Sequence, residues 1–140
     1  GYSMTTWIKR ALLLVSCMML AACPAGMGLR EEFDKSIKAY NRMLRWQELE
    51  NAGMIFLEKE LRDDFMKKAE SLKRRGVTLT DYRILTSECL PEENSGEAIA
   101  EFDYFILPSN RIKTTTYRQE WVYQDMIKSW KLKSGLPAFD

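Results

Sequence analysis

At Gly76 the hydrophobic pattern of this chain changes period, and that change limits the class of fold it can form. Before Gly76 the apolar residues recur at helical spacing. Leu29, Phe33, Ile37, Tyr40 and Leu44 share one stripe, with Lys35, Lys38 and Arg42 on other faces. Glu31, Glu32 and Asp34 fall in the first turns of this helix, where its dipole favours negative charge. A second helical stretch runs from about Trp46 through Leu49, Ala52, Phe56 and Leu57, and Gly53 is a candidate break between it and the first. A third carries Leu61, Phe65, Ala69 and Leu72 and ends at Lys73-Arg74-Arg75-Gly76, basic residues before a terminal glycine. After Gly76 the period is two. Val77 to Leu90 reads as a strand closed by the loop Pro91 to Gly96, and Ala98, Ala100, Phe102, Tyr104 and Ile106 alternate along a second. Pro108-Ser109-Asn110 makes a turn. A third strand, Ile112 to about Tyr123, sets Lys113, Thr115, Tyr117, Gln119, Trp121 and Tyr123 on one face, and a last one surrounds Trp130 and Leu132, ending before Gly135-Leu136-Pro137. Helices first and an antiparallel meander afterwards predict an α+β fold, with N-terminal helices packed on a sheet of about four strands.

The first 28 residues stand apart from that pattern. Gly1-Tyr2-Ser3 reads as a cloning scar or a misassigned start ahead of Met4. Lys9 and Arg10 then precede an apolar run, Ala11 to Ala22, broken only by Ser16. The run is shorter than the roughly twenty residues that cross a bilayer as a helix, and it is uniform rather than amphipathic. Its length suits the apolar region of a secretory signal peptide, Met4 to Ala22. Leu20-Ala21-Ala22-Cys23 resembles the lipobox of bacterial lipoproteins. That resemblance implies cleavage between Ala22 and Cys23 and a diacylglyceryl group on the Cys23 sulfur, with the new amino group often acylated, for example by palmitate. Such acyl chains make a durable membrane anchor. The resemblance further implies, from Pro24 rather than aspartate after the cysteine, the outer membrane where the host has two. Pro24 to Gly28 reads as a short flexible tether, spanning no more than roughly 20 Å. The domain then occupies residues 29–140.

Composition narrows the function. With Lys9 and Arg10 removed in the leader, 19 of the 21 basic residues remain against 20 acidic ones, a net charge of −1. A nucleic-acid partner would need a concentrated basic footprint, so none is expected. Of the three cysteines, Cys17 lies in the leader and Cys23 at its end, so Cys89 is the one thiol left and no internal disulfide forms. Histidine is absent, which removes the usual neutral-pH base, the commonest zinc ligand and every triad built on imidazole. No metal and no cofactor is expected.

The order of elements, with Gln119-Glu120-Trp121-Val122-Tyr123, Trp130-Lys131-Leu132, Leu136-Pro137-Ala138-Phe139 and Trp46-Gln47-Glu48-Leu49-Glu50, resembles the NTF2-like (cystatin-like) superfamily over roughly Leu29 to Asp140. The resemblance implies that a long N-terminal helix and its partners close a strongly curved sheet into a cone. One departure is the turn after Tyr123, where Asp125-Met126-Ile127-Lys128 stands in place of a frequent Asp-Gly. The family includes isomerases, dehydratases and cyclases as well as domains with no chemistry. Tyr40, Glu101, Asp103, Tyr104 and Tyr117 are the residues here that could serve such chemistry, but Glu101 and Asp103 alternate away from Phe102 and Tyr104. That places them on a solvated face, where a carboxylate keeps an ordinary pKa. Cys89 would need a basic neighbour to act as a nucleophile, Arg83 being the nearest on a strand, and is read as an inert buried thiol. Met43, Met54, Met66 and Met126 are read as gap-fillers of the core. Lys67-Lys68 and Lys73-Arg74-Arg75 form a solvated basic face, with anionic lipid headgroups as its functional alternative.

Tyr40, Tyr104, Tyr117, Trp121 and Tyr123 remain as a candidate ligand or partner face, against the alternative that they are core. The core is favoured for Trp121, with partner contact then made at the cone mouth or on the opposite sheet face. The resulting expectation is a membrane-anchored envelope lipoprotein, not an enzyme, that binds a protein partner or a small apolar ligand. The alternative is a histidine-free isomerase- or dehydratase-like enzyme. The two part on whether a carboxylate is buried within reach of a tyrosine in a deep apolar pocket.

Overall fold

The computed structural model describes residues 24–140; the leader, its cleavage site and Cys23 lie outside the described residues. Three helices, α1 (Pro24–Arg45), α2 (Leu49–Phe56) and α3 (Arg62–Arg74), pack on a four-stranded sheet. Its strands are β1 (Val77–Leu90), β2 (Ser95–Ile106), β3 (Lys113–Gln124) and β4 (Ser129–Leu132), antiparallel throughout and in the order β1-β2-β3-β4. This is the α+β arrangement that the change of period at Gly76 requires.

Helix α1 buries Phe33, Ile37, Tyr40, Asn41 and Leu44, the stripe legible in the sequence with one polar member added. It starts at Pro24 rather than Leu29, so the segment read as a tether is its first turns. Proline is favoured there because its missing N–H is not needed and its φ suits a helix. Glu31, Glu32 and Asp34 consequently sit beyond the first turn. The C-terminus closes on Gln47, whose φ of 62° lies in the left-handed region usually given to glycine. Its N–H bonds Leu44 O (3.0 Å) and the next one bonds Met43 O (2.9 Å), which satisfies carbonyls the helix would leave open. The Gln47 side chain then grips the edge of β1, accepting from Leu79 N at 2.7 Å and donating to Val77 O at 3.4 Å.

Gly53 does not separate the first two helices. It lies inside α2, buried, where a Cβ would stand 2.6 Å from the Phe65 ring, so its absence lets α2 and α3 cross closely. Trp46 is exposed in the turn before α2, with the Arg45 guanidinium 4.4 Å above its ring. Met54 and Met126 are also exposed and fill no core gap; Met43 packs against the core.

The sheet is two-faced. Ala98, Ala100, Phe102 and Tyr104 of β2, Tyr117, Gln119 and Trp121 of β3, and Trp130 and Leu132 of β4 are buried toward the helices, while Thr114, Thr116, Arg118 and Glu120 face solvent. The β1–β2 pairing shifts register at Leu79/Asp81 and at Ile84/Thr86, and such irregularities bend and twist a sheet. The meander also gives the sheet two ends. Both hairpin turns, 91–94 and 125–128, lie at one end, joined by Tyr123 N to Asn94 O at 2.8 Å. Helix α1 enters at that end, where Trp130 Nε1 donates to Leu29 O at 3.1 Å, and leaves at the other, beside Val77 and Leu79.

Two glycines test this packing in opposite directions. A Cβ at Gly96 would meet the Phe33 ring at 2.5 Å, whereas Gly28 has nothing within 4 Å. Gly96→Ala is expected to cost about 1–3 kcal/mol in urea unfolding by overpacking. Gly28→Ala is expected to stabilise by up to about 1 kcal/mol, since alanine favours a helix over glycine. No gain at Gly28 would return residues 24–28 to the role of a flexible tether.

Candidate functional site

On the sheet face that packs against the helices an aromatic cluster meets α1. Trp121 lies edge-on to Tyr40 (5.6 Å between ring centres), Phe56 (6.0 Å) and Phe33 (6.3 Å), and Phe33 also reaches Trp130 at 4.7 Å. Such geometry adds to burial because ring edges and faces carry opposite partial charge. A second group, Phe102, Tyr104 and Phe139, closes the far end. There Arg75 donates to Ala138 O (3.0 Å) and Phe139 O (2.7 Å), holding residues 136–139 over the core.

Four of the five residues read as a candidate ligand or partner face are therefore interior. Tyr40, Tyr104, Tyr117 and Trp121 are buried, and Tyr123 is half-buried against Trp130 at 5.4 Å. The structure brings Tyr40, Tyr117 and Trp121 together but as packing rather than as the wall of an open cleft. The reason is one of volume: Phe33 and Phe56 from the helices fill the space in front of Trp121.

The polar groups of this interior were largely missed by sequence reading. The Asn41 and Gln119 amides, both fully buried, pair reciprocally: Gln119 Nε2 donates to Asn41 Oδ1 at 2.7 Å and Asn41 Nδ2 to Gln119 Oε1 at 3.2 Å. Asn41 also donates to Ile37 O (2.8 Å), and Trp121 Nε1 donates to Gln119 Oε1 (3.3 Å). Beside them the Tyr40 and Tyr117 hydroxyls share a 2.8 Å hydrogen bond. The available signal was an asparagine four residues after Ile37 on an apolar stripe, facing a glutamine at an inward position of a strand.

Among the described residues Asn41 and Gln119 are the buried polar side chains, so no carboxylate reaches the tyrosine pair from within the core. Glu101 and Asp103 lie on the outer face. Arg83 donates to Glu101 Oε1 (2.7 Å) and to Asp103 Oδ1 and Oδ2 (2.9 and 3.0 Å), and Thr114 donates to Asp103 (2.8 Å). These bonds, from Arg83 first, hold the Asp103 carboxyl below its usual range, so it is ionised at neutral pH and has no proton to give. Cys89 is buried. Its thiol is pushed up, chiefly by burial, and the cation acting on it is Arg30 rather than Arg83, which is committed across the sheet. The basic cluster ends at Arg75 and Gly76, at the end of the sheet opposite the start of α1. Among the described residues no group of three His, Cys, Asp or Glu could hold a metal ion.

No family model and no curated protein matches the chain. Among solved structures, the intermembrane space region of the chloroplast protein ARC6 is similar to it. That likeness has 14% identity and a TM-score of 0.47, and covers 71% of this chain and 92% of that one.

Truncating Trp121 to alanine is expected to cost about 3–5 kcal/mol in urea unfolding, as for a large aromatic in a filled core. A variant as stable as the parent would reopen the cleft reading. Asn41→Ala and Gln119→Ala each leave a buried amide without its partner, at about 1–3 kcal/mol. The double variant is expected to cost less than the sum, and simple additivity would show that the amides do not act as a pair.

Burial first, and then their mutual contact, raises the Tyr40 phenol above the ordinary tyrosine range; burial does the same for Tyr117. A phenol raised in the folded state stabilises the fold fully below its unfolded pKa of about 10 and loses that contribution as pH rises toward its folded value. Urea midpoints are thus expected to fall progressively above about pH 10, with tyrosinate absorbance from this pair appearing only on unfolding. Ionisation of all tyrosines in a still-folded domain would contradict the buried pair.

Proposed function

We propose that the chain is a lipid-anchored protein of the cell envelope whose NTF2-like domain recognises a protein partner and catalyses no reaction. The observation that carries this reading is the filled interior. Phe33, Tyr40, Phe56, Tyr117 and Trp121 occupy the space in which a cone-shaped enzyme would hold its substrate. A small apolar ligand is disfavoured for the same reason, which leaves the surface. The helices cover one face of the sheet; the other presents Arg83 with Glu101, Asp103 and Thr114 at its centre and exposed Thr116 and Arg118 beside them. Polar groups fixed by mutual hydrogen bonds suit recognition, since little side-chain freedom is lost on binding.

Attachment to the membrane, with the outer membrane favoured, is supported by Leu20-Ala21-Ala22-Cys23 after a short apolar run. No helix of the described residues is long and apolar enough to cross a membrane. Lipid on Cys23 would supply the attachment.

Metabolic labelling with a palmitate analogue is expected to mark the parent chain and not Cys23→Ser; equal label on both would end the lipoprotein reading. Recovery of envelope proteins with the lipidated chain tests the partner face. Arg83→Ala is expected to reduce recovery of the partner, and so is Thr116→Lys, a change at an exposed position that is expected to alter stability by within about 0.5 kcal/mol. Unchanged recovery with both Arg83→Ala and Thr116→Lys would take the outer face out of the proposal.

A further inference from the structure

The start of α1 and the β3–β4 turn share one end of the domain. Trp130, two residues beyond that turn, holds the Leu29 carbonyl, and from Leu29 the helix runs outward to Pro24. Five residues at 1.5 Å carry it about 7–8 Å further, and Cys23 is one step of about 3.8 Å beyond. A helix in place of a tether limits how far the domain can swing away from the point where an anchor at Cys23 would enter a bilayer.

The turn itself is shaped for contact. Met126 is 98% exposed and Ile127 55%, and Met27 and Leu90 are exposed at the same end. Leu107 and Ile112 are exposed at the opposite end, so exposure alone does not select a surface. Position beside the route to Cys23 does. Next to the tip, Ile127 lines a cleft of about 280 Å³ with Lys59, Arg62 and Lys131 and with the carboxylates Glu58 and Glu60. Lys131 Nζ donates to Ile55 O at 2.6 Å, and Arg62 Nε is buried with no hydrogen-bond partner. Among the described residues no carboxylate lies within 4.0 Å of either cation. The ammonium of Lys131 is made more acidic by burial and then by Arg62, as expected for two cations held together without an anion.

We infer that this end of the domain is a membrane-contact surface: Met126 and Ile127 enter the boundary between headgroups and acyl chains of the bilayer that anchors the chain, and the Arg62–Lys131 cleft takes a lipid phosphate. An apolar tip beside cations is the arrangement that the layered polarity of a bilayer interface accommodates. Glu92, Glu93 and Asp125 belong to the same two turns, so the fitting surface is zwitterionic rather than strongly anionic. The inference rests on the lipid-anchor reading.

Its test supplies the anchor chemically, so that it does not depend on whether cells acylate Cys23. The chain from Cys23 onward, the form that cleavage between Ala22 and Cys23 would leave, is coupled through Cys23 to a maleimide lipid in phosphatidylcholine vesicles whose acyl chains are brominated. Cys89→Ser is carried in every variant, so that Cys23 is the one thiol available for coupling. Met126→Trp and Ile112→Trp are then compared with the same coupled chain lacking either change. Bromine is expected to quench the added tryptophan at 126 strongly and that at 112 little. Equal quenching at the two positions, or none at either, overturns the inference. Adding Arg62→Gln and Lys131→Gln to Met126→Trp is expected to lower the quenching, and free inorganic phosphate is expected not to reproduce that loss. Unchanged quenching in the triple variant overturns the phosphate contact. Failure of acylation in cells would appear separately, in the palmitate labelling of the parent chain.

Discussion

Two amides sealed from solvent, Asn41 on α1 and Gln119 on β3, hold helix and sheet in a single register. Apolar side chains can slide past one another at modest cost, but a reciprocal amide pair has one geometry. Moving α1 by a turn would leave both amides buried and unpaired, each at about 1–3 kcal/mol, a large part of the roughly 5–15 kcal/mol that keeps a domain folded. The Tyr40–Tyr117 hydrogen bond adds a second polar tie between the same two elements, and Trp121 is drawn in through its indole N–H. The aromatic packing follows from that register, because it sets Phe33 over Gly96 and Tyr40 against Trp121.

A filled interior moves the functional question to the surface. The sheet's inner face is occupied by the helices, and its outer face and its two ends differ in chemistry. The outer face is charged and hydrogen-bonded around Arg83. The end with the C-terminal segment is closed by Phe139 and pinned by Arg75. The end where α1 begins carries an apolar tip and unpaired cations. A module anchored at its N-terminus through a helix would place that last end toward the membrane and leave the outer face open to a partner.

Much of the fold was legible because burial imposes a period. The stripe from Phe33 to Leu44, the strand Val77–Leu90, and the alternation that put Glu101 and Asp103 opposite Phe102 all appear where the spacing of apolar residues put them. Local chemistry was less reliable. Gly53, read as a break, is a close-approach site inside a helix, since a glycine's lack of a side chain serves either purpose. Lys128, at φ 49°, takes a left-handed position that the frequent Asp-Gly would have filled with glycine, and nothing in Asp125-Met126-Ile127-Lys128 announces it.

The sequence by itself determined the α+β class, the inward and outward residues along most of β2 and β3 and the absence of imidazole chemistry, because periodicity and composition are properties of the chain alone. Only the tertiary structure decided whether Tyr40, Tyr117 and Trp121 line a cleft or fill a core. That depends on how far Phe33 and Phe56 reach across from other elements, a matter of shape and distance between residues up to 88 positions apart. It likewise decided that Met126, Arg62 and the start of α1 share one end of the molecule, because chain connectivity does not encode which turns a meander brings together.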